Sequence, residues 1–528
     1  MPHSVLTLLQ WLREEGFTFD ASGPAVDGQG PEGNVDVADI LALCSDSRDA
    51  SQGTLFAALP GQRIDGHDFI IDALSRGASS ILARRGPKPE ESAQLRGCWI
   101  TIPDAPSLRT GTAAAFARLA ARFYGPLPDR LIGVTGTNGK TSVVHFTRLL
   151  LDPTRTASIG TLGLRPKGLL DLPSLTSPDA LSLARGLAAA AAAGYEQAVM
   201  EASSHGLDQG RLAGLDFIAA GFTHLSRDHL DYHQTMDAYW DAKRILFTER
   251  LAPGGRVVID ERRPQSHELA ALGLDLFRLG ALGSDSAHLS YRATAQPDGL
   301  RLQTAWKGAP YREFDLPLFG AFQAENIALA LGLARVGGKD VSAEALDARL
   351  TVLSEDGDGM GVPGRMMPVA RHPHAPHGRV LIDYAHTPDA LETALRAARP
   401  HCRGRLMVVF GAGGDRDPGK RILMGRAAAQ QADWALITDD NPRSEDPAMI
   451  RAAVRAGAPE AREIGDRAEA IAEAISTMAP EDLLVIAGKG HETGQIIGDE
   501  TLAFDDAAQA RAAATLLWGS VDNGGVTK

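Results

Sequence analysis

Apolar runs of strand length alternate with amphipathic stretches along most of the chain. Residues 197–200 and 255–259 are two such runs, and the stretches between the runs carry the three-to-four-residue apolar spacing of helices. Strands that alternate with helices favour a mostly parallel sheet. Residues 1–13 have the spacing of an amphipathic helix, and the alanine run at 188–193 predicts another helix because alanine has the highest helix propensity.

Four apolar runs in the last third of the chain each end in a polar or glycine-rich motif. They cover residues 380–386, 406–414, 434–440 and 483–490. Because ligands bind beyond the carboxyl ends of the strands in open parallel sheets, we expect these motifs to share one rim. The pattern predicts a second ligand-binding α/β domain.

The length of 528 residues suggests three or four domains of about 150 residues each. A boundary is expected near residue 105, before the helical stretch 107–124. Glycine density peaks at residues 355–364, which predicts a linker or exposed loop and a second boundary. The predicted domains are residues 1–104, 105–355 and 356–528.

The charge balance limits the partners of the chain. It has 53 Lys and Arg residues against 66 Asp and Glu residues, a formal net charge of -13. This argues against general binding to nucleic acid or to an anionic membrane. The first residues lack the pattern of a signal peptide, no apolar run is long enough to span a bilayer, and the three cysteines are scattered. A cytoplasmic monomer without membrane insertion, disulfides or a cysteine metal site is expected.

Residues 131–141 have the pattern of a strand that leads into a glycine-rich loop and then a helix. Backbone N–H groups of such a loop can approach phosphate oxygens, and the Lys-Thr pair at its end can bind the β/γ-phosphates and Mg²⁺. The match is imperfect, since Val134 occupies the first glycine position of the phosphate-loop motif. The alternative is a structural strand-to-helix turn. The candidate nucleotide-binding residues are Gly136, Thr137, Asn138, Gly139, Lys140 and Thr141.

Three ionisable residues of the middle section are candidates for chemistry. Glu201 ends a buried apolar run, where a carboxylate is expected to be paired or to bind Mg²⁺. His229 lies in residues 226–233, a stretch so dense in ionisable side chains that it favours a site over a structural histidine. Lys243 lies on a predicted helix, and its spacing alone is typical of a surface lysine. Structural and functional roles both stay open for His205, His224 and His233.

Seven motifs stand in the order and spacing of the Mur ligases, and the chain resembles this family over nearly its whole length. The motifs are residues 136–141, 201–205, 225–231, 242–243, 320–326, 363–365 and 383–388. The resemblance implies a small α/β UDP-binding domain, a central P-loop-type ATPase domain with a mostly parallel sheet, and a C-terminal Rossmann-like domain for the amino acid. It favours the members that add meso-diaminopimelate to UDP-N-acetylmuramoyl-L-alanyl-D-glutamate in peptidoglycan precursor synthesis.

The resemblance also implies the reaction, an ATP-dependent amide synthesis that passes through an acyl-phosphate. By position, Lys140 and Arg365 resemble clamps on the γ-phosphate, which neutralise charge during transfer. Asn326 and Asp383 resemble the groups that contact adenine and ribose, with His386 nearby. ATP is therefore the expected nucleotide.

Four residues resemble the metal site of the family. Thr141 and Glu201 resemble ligands of a first Mg²⁺, and His229 resembles a ligand of a second. Lys243 matches the lysine that the family carries as a CO₂-derived carbamate. The modification turns a cation into an anion that can support Mg²⁺.

Further resemblances concern the UDP-N-acetylmuramoyl-dipeptide. Ser47 and Arg48, together with residues 65–67, resemble the elements that hold the UDP moiety. Taken alone, a Ser-Arg pair or a Thr-Ser-Pro turn is more often structural. The residues that resemble the muramoyl-dipeptide site are Thr176, Ser177, Ser203, Gln209 and Arg211.

Residues 440–443 resemble the signature of diaminopimelate-adding members. Meso-diaminopimelate differs from lysine by a second carboxylate, and Arg443 offers a planar fork suited to it. Glu492 would accept a hydrogen bond from the distal ammonium. The alternative is a structural turn with a solvated arginine. The residues that resemble amino-acid contacts are Arg416, Asp440, Asn441, Pro442, Arg443, Gly488 and Glu492.

Some positions depart from the family pattern, and other functions compete with the one it implies. The departures are Ala202, His224, Gln323 and Met367. A lysine-adding member of the same family is one alternative, and a ligase that adds glutamate to folates is another. A motor, transport or regulatory NTPase is the non-ligase alternative, and it would release phosphate without an amino-acid acceptor.

Overall fold

The structure is a computed structural model that describes residues 2–26, 39–61, 64–103, 111–173, 175–355, 357–374 and 377–519. Contacts divide the chain into two compact units. The first unit contains residues 1–144, 151–277 and 336–339, and the second contains residues 145–150, 278–335 and 340–528. The predicted boundaries near residues 105 and 356 fall outside the described residues, so the division into three domains stays a prediction. Among the described residues, no helix combines the length and the apolar character needed to cross a membrane.

The first unit begins with a small α/β segment. Its helices are α1 (Val5–Glu14), α2 (Ile70–Ser75), α3 (Pro89–Ser92) and α4 (Thr112–Tyr124). Its strands are β1 (His3–Ser4), β2 (Asp20–Ser22), β3 (Asp39–Ile40), β4 (Ala42–Cys44), β5 (Thr54–Ala57), β6 (Ser80–Ala83) and β7 (Trp99–Thr101). Five strands form a sheet in the order β2-β7-β6-β5-β4, in which only β2 is antiparallel to its neighbour.

A second α/β segment completes the first unit. It contains the start of α5 (Lys140–Leu150), whose residues 145–150 belong to the second unit. Its other helices are α6 (Ala180–Ala192), α7 (Ser204–Asp208), α8 (Leu230–His233), α9 (Met236–Thr248) and α10 (Gln265–Ala271). Its strands are β8 (Arg130–Thr135), β9 (Thr156–Gly160), β10 (Gly163–Arg165), β11 (Gln197–Glu201), β12 (Phe217–Phe222) and β13 (Leu251–Asp260). The strand order is β10-β9-β11-β8-β12-β13, with β10 antiparallel and the others parallel.

The register of these strands determines what lies at their carboxyl ends. Glu201 pairs with Val134, and Phe222 pairs with Thr135. The end of β11, the loop after β8 and the loop after β12 therefore lie side by side. This is the edge at which parallel sheets bind ligands.

The second unit contains an antiparallel segment and a parallel sheet. Its helices are α11 (Phe322–Gly337), α12 (Ala343–Glu355), α13 (Pro388–Ala398), α14 (Gly419–Gln431), α15 (Pro447–Arg455), α16 (Arg467–Thr477) and α17 (Asp506–Trp518). Strand β14 (Leu276–Ala281) leads into β15 (Leu289–Gln296), β16 (Gly299–Trp306) and β17 (Arg312–Leu316). The later strands are β18 (Met367–Arg371), β19 (Arg379–Asp383), β20 (Leu406–Phe410), β21 (Trp434–Ile437), β22 (Arg462–Glu463), β23 (Leu483–Ala487), β24 (Gly494–Ile497) and β25 (Glu500–Ala503).

The six-stranded sheet of the second unit has the order β18-β19-β23-β20-β21-β22, and all its pairs except β18–β19 are parallel. The four predicted strand runs are β19, β20, β21 and β23. The apolar residues of β19, β20 and β23 are buried, whereas β21 buries Leu436 and Ile437 and leaves Trp434 and Ala435 half-buried. The Gly488 N–H donates to the Asp383 carbonyl oxygen at 3.1 Å. A Cβ on Gly411 would lie 2.3 Å from the Thr438 carbonyl oxygen. The prediction that these motifs share one rim is confirmed.

Two helix predictions are confirmed and one loop prediction is partly wrong. Helix α1 buries Val5, Leu8, Leu9 and Leu12, and the alanine run lies at the end of α6. Helix α4 begins at Thr112, and residues 107–110 of the predicted stretch lie outside the described residues. The glycine-rich segment includes a 3₁₀ turn, Gly357–Met360, and it is not a wholly exposed loop. Met360 and Val362 are buried because their apolar side chains pack into the core of the unit.

Candidate active site

The phosphate loop follows β8 and is shaped by contacts with the loop after β12. Gly136 has a φ of 143°, and a Cβ there would lie 1.8 Å from the Thr223 hydroxyl oxygen. Only glycine fits such a position. The Thr223 hydroxyl donates to the Asn138 carbonyl oxygen at 2.7 Å, and Gly139 also has a positive φ of 86°. The Lys140 ammonium curls over the loop and donates to the Gly136 and Thr137 carbonyl oxygens at 3.0 and 2.8 Å.

Thr137 ties the phosphate loop to the loop after β12 and to helix α9. Its N–H donates to the His224 carbonyl oxygen at 2.8 Å, and its hydroxyl oxygen accepts from the Ser226 N–H at 3.0 Å. The Tyr239 hydroxyl lies 3.3 Å from the same oxygen. Three contacts from the loop after β12 and from α9 thus fix the loop conformation, which is the preorganisation that a phosphate cradle needs.

A hydroxyl and a carboxylate meet at the base of the loop. The Thr141 hydroxyl donates to Glu201 Oε1 at 3.0 Å, and the Thr161 N–H donates to the same oxygen at 2.7 Å. Thr141 and Glu201 are both buried. Gly160 makes room for this carboxylate, because a Cβ there would lie 2.3 Å from Glu201 Oε1. Paired hard oxygen donors beside a phosphate loop fit Mg²⁺. Among the described residues, no three His, Cys, Asp or Glu side chains form a metal site by themselves.

Lys243 is buried on α9 and points at the phosphate loop. Its side chain is 1% exposed, and its Nζ donates to the Gly136 carbonyl oxygen at 2.8 Å. The ammonium also lies 4.2 Å from the centre of the Tyr239 ring. Burial, together with the nearby Lys140 charge, holds the pKa of Lys243 well below its usual value. The surface alternative for this lysine is wrong, since the residue is buried.

A histidine cluster adjoins the loop after β12. The ring centre of His205 lies 4.8 Å from that of His229, 5.4 Å from that of His233 and 4.2 Å from that of Tyr232. Burial and the two neighbouring histidines lower the pKa of His205 to about 4. The His229 side chain is 47% exposed, and its Nε2 lies 3.5 Å from the Asp228 carboxylate. A ligand can therefore reach the His229 imidazole.

Most residues of the expected muramoyl-dipeptide site lie next to Glu201. The Ser177 hydroxyl donates to the Glu201 carbonyl oxygen at 3.0 Å and accepts from the Ser203 N–H at 2.9 Å. Arg211 donates to the Ser177 carbonyl oxygen at 2.9 Å and to Gln209 Oε1 at 2.6 Å. Burial lowers the pKa of Arg211. Its hydrogen-bond acceptors are neutral, so the guanidinium is suited to an anionic ligand. Thr176 lies at the edge of this group, with its hydroxyl 3.3 Å from that of Thr161.

The expected UDP-binding residues form a separate group in the small α/β segment. Ser47 is buried in the 3₁₀ turn Ser47–Asp49 after β4, and Arg48 is exposed beside Asp46, to which its Nε donates at 2.9 Å. His67 Nδ1 lies 2.7 Å from the Asp65 carboxylate, which also pairs with Arg84. Arg48 and His67 are thus each held by a nearby aspartate of the same segment.

The residues expected to bind adenosine lie in the second unit. Asn326 Nδ2 donates to Gln323 Oε1 at 2.9 Å, and Gln323 Nε2 is 3.4 Å from the Arg365 carbonyl oxygen. The departure at Gln323 therefore orients the Asn326 amide. Burial raises the pKa of Asp383, whose carboxylate accepts from the N–H groups of residues 366 and 385.

Arg365 and His386 both lie against Tyr384. The Arg365 guanidinium is 4.8 Å from the centre of the Tyr384 ring, a cation–π contact that fixes its position. His386 is exposed, and its Nδ1 lies 2.8 Å from the Tyr384 carbonyl oxygen. Tyr384 is thus a supporting residue that lies inside the motif 383–388 but was not named as a site residue.

The expected amino-acid site lies at the rim of the second-unit sheet. Asn441 Nδ2 donates to Glu492 Oε2 at 3.2 Å. Arg443 has a positive φ of 52°, and its Nη1 donates to the Gly414 carbonyl oxygen at 2.8 Å. Asp440 Oδ2 is buried and has no hydrogen-bond partner among the residues that the structure describes, and it lies 2.4 Å from the place of a Cβ on Gly488. The backbone of Pro442 lies against Gly414, where a Cβ would be 1.9 Å from the Pro442 carbonyl oxygen. Arg416 is exposed on the loop after β20.

Three family models match the chain in order. They are the Mur ligase family catalytic domain at residues 39–124, the Mur ligase middle domain at 134–334, and the Mur ligase glutamate ligase domain at 364–490. A protein from Caulobacter vibrioides named "UDP-N-acetylmuramoyl-L-alanyl-D-glutamate--2,6-diaminopimelate ligase" is 44% identical over 482 residues, which cover 89% of this chain and 94% of that protein. The chain belongs to the Mur ligase family.

Two more proteins of that name resemble this Mur ligase. The one from Brucella melitensis is 44% identical over 490 residues, covering 91% of this chain and 95% of its own. A solved structure matches with a TM-score of 0.63 at 32% identity, over 91% of this chain and 95% of that one. The family resemblance and the α/β fold class are confirmed.

The remaining departures of this Mur ligase from the family pattern lie beside the site. Burial and the charges of Arg263, Lys140 and Lys243 lower the pKa of His224 to about 4. Ala202 is buried directly after β11, and Met367 begins β18. Another residue, Lys489, was missed by the sequence interpretation although it lies two residues after the buried strand β23. Its Nζ lies 2.8 Å from Asn441 Oδ1.

Proposed function

We propose that this Mur ligase is an ATP-dependent amide ligase that adds meso-diaminopimelate to UDP-N-acetylmuramoyl-L-alanyl-D-glutamate. The observation that carries the proposal is the burial of Lys243 against the phosphate loop, where a cationic amine would oppose metal binding. The names of the relatives from Caulobacter vibrioides and Brucella melitensis support the choice of both substrates.

The proposed reaction has two bond-making steps. The γ-phosphoryl group of ATP passes to the side-chain carboxylate of the D-glutamate, and ADP leaves. The amine of the incoming amino acid then attacks the acyl carbon, so that a C–N bond forms, the C–O bond to phosphate breaks, and the amine loses a proton. Lys140 and Arg365 neutralise phosphoryl oxygens in this scheme. Asn326, Asp383 and His386 bind the adenosine moiety.

Thr141 and Glu201 would hold a first Mg²⁺ and His229 would contribute to a second. Bound Mg²⁺ would neutralise phosphate oxygens during transfer. Lys243 in its neutral form can add CO₂ and lose a proton, which gives a carbamate. Burial lowers the pKa of this amine, which supports the step because only the uncharged amine is a nucleophile.

The partner and location expectations remain predictions. Ser47 and Arg48 would contact UDP, and the group around Arg211 would contact the muramoyl-dipeptide. The net charge of -13 supports an enzyme that does not bind nucleic acid. A cytoplasmic monomer fits reactants that are ATP and a nucleotide-linked sugar peptide.

A ligation assay with purified full-length protein tests the proposal. We expect amide product with meso-diaminopimelate, a much lower rate with L-lysine, and phosphate release that depends on both the UDP-dipeptide and the amino acid. A folate acceptor with glutamate should give no product. Preference for L-lysine would indicate the lysine-adding alternative, and phosphate release without an acceptor would indicate an NTPase.

Replacing Arg443 by Ala should weaken the use of diaminopimelate about 30-fold or more. Truncating one partner of a desolvated charge pair typically costs about 2–5 kcal/mol, and about 1.4 kcal/mol corresponds to a tenfold change. The variant is compared with wild type by kcat/KM for meso-diaminopimelate at saturating ATP and UDP-dipeptide. Arg443→Lys keeps the charge without the planar fork, so an intermediate loss is expected. Unaltered diaminopimelate kinetics in Arg443→Ala would contradict the assignment.

A further inference from the structure

The side-chain amide of Asn441 has a fixed orientation. Its Oδ1 accepts from the Lys489 ammonium at 2.8 Å and from the Ile496 N–H at 3.0 Å. Its Nδ2 donates to Glu492 Oε2 at 3.2 Å. Rotation of the amide by half a turn would place Nδ2 against two N–H donors and Oδ1 against a carboxylate. The hydrogen-bond pattern therefore permits one orientation.

Lys489 is the strongest of the donors that set this orientation. It lies two residues after the end of β23 and is 0% exposed. Its Nζ also donates to the Gly494 carbonyl oxygen at 2.7 Å, and it lies 3.9 Å from Glu492 Oε2. An ammonium can donate but cannot accept a hydrogen bond. The Asn441 atom that faces the ammonium must therefore be an acceptor, so Oδ1 points toward Lys489 and Nδ2 points away from it.

We propose that Lys489 is a positioning residue that makes the amino-acid site selective for a far end bearing both a carboxylate and an ammonium. The inference rests on the proposed function. Asn441 Nδ2 carries a second hydrogen that can donate to the ligand carboxylate, while Glu492 accepts from the ligand ammonium. With the amide reversed, Asn441 Oδ1 would repel the Glu492 carboxylate and the far carboxylate of the ligand. L-Lysine lacks the far carboxylate, so it gains nothing from the oriented amide.

A purely structural role for Lys489 predicts a different result. The same hydrogen bonds join the segment after β21 to the turn before β24, and their loss could loosen the whole rim. Such loosening would impair meso-diaminopimelate and L-lysine alike. A positioning role acts through Asn441, so it changes the ratio of the two activities.

The main test compares Lys489→Met and Lys489→Gln in the full-length protein. We expect Lys489→Met to raise the KM for meso-diaminopimelate roughly tenfold or more, equivalent to about 1.4 kcal/mol. The kcat and the KM for ATP should stay within about twofold, because the two hydrogen bonds that are lost lie away from the reacting atoms. The preference for meso-diaminopimelate over L-lysine should fall by the same factor as the KM rises. Lys307→Met, at an exposed turn, is the matched control and should leave all constants unchanged.

Lys489→Gln restores an N–H donor without the charge. Its preference for meso-diaminopimelate should stay within about threefold of wild type, since orientation needs a donor rather than a cation. This variant decides the question if Lys489→Met does not fold. A loss of preference in Lys489→Gln as large as that in Asn441→Ala would overturn the proposal.

A double-variant cycle separates action through Asn441 from general loosening. In the Asn441→Ala background, Lys489→Met should change kcat/KM for meso-diaminopimelate by less than about twofold, because the amide to be oriented is already absent. Multiplied losses, or an undiminished preference in Lys489→Met, would overturn the role of Lys489. A wild-type enzyme that does not use meso-diaminopimelate would instead overturn the proposed function.

Discussion

Lys243→Ala should lower kcat/KM for ligation by roughly 100-fold or more. Removal of one preorganised electrostatic group at a reaction centre typically costs about that much. The Lys243 Nζ lies 2.8 Å from the Gly136 carbonyl oxygen. The alanine variant therefore loses the amine with which α9 contacts the phosphate loop. The comparison is made by initial rates of amide formation with ATP, the UDP-dipeptide and meso-diaminopimelate.

Two controls connect this loss to a carbamate. Arg244→Ala changes the next residue of α9, a surface cation paired with Asp241 and Glu268, and should keep the rate within about twofold. A small carboxylic acid in the buffer should partly restore the Lys243→Ala enzyme, since it returns an anion to the site. Removal of bicarbonate should slow the wild type and Arg244→Ala, but not Lys243→Ala. Full activity in Lys243→Ala would exclude the proposed role.

The spacing of apolar residues predicted helix α9 but not the burial of Lys243. Along a helix, a lysine among apolar neighbours is more often at the surface with its stem packed over them. Whether it is buried depends on an acceptor elsewhere, and here the acceptor is Gly136, 107 residues earlier in the chain. Only the family motif pointed to this position, because local periodicity carries no information about distant partners.

The sheet of the second unit was predictable for the opposite reason. Continuous apolar runs such as β20 and β23 are typical of strands covered on both faces, and each ends in a polar motif. The role of Lys489 was not predictable. It depends on Asn441, 48 residues earlier, and on the hairpin of β24 and β25, whose position follows from tertiary packing.

The glycine-rich segment 357–364 shows the limit of composition as a guide. Glycine density predicts a loop, and a 3₁₀ turn is present, but Met360 and Val362 are buried. Composition averages over a window, whereas burial is decided by single apolar side chains that find a surface to cover. Asp383 is a second case in which a local pattern does not give the contacts. Its strand-end carboxylate accepts hydrogen bonds from nearby backbone N–H groups.

Arg467→Met should lower the free energy of unfolding of the second unit by about 3–5 kcal/mol, the usual cost of removing one partner of a buried ion pair. Arg467 and Asp506 are both 0% exposed, and their two hydrogen bonds are each 2.7 Å long. The variant leaves the Asp506 carboxylate buried without its cation. It also frees the Ala487 carbonyl oxygen, to which Arg467 Nη2 donates at 3.0 Å beside the amino-acid rim.

Chemical denaturation of the full-length protein measures this loss, and a second replacement identifies its cause. The double variant Arg467→Met/Asp506→Leu removes both charges, and apolar replacement of a buried pair is often neutral or stabilising. It should therefore recover most of the stability that Arg467→Met loses. The exposed pair of Arg301 and Asp315 is the control, and Arg301→Met should change the midpoint little. If the double variant is less stable than Arg467→Met, the loss comes from packing at α16 and α17 and not from an unpaired carboxylate.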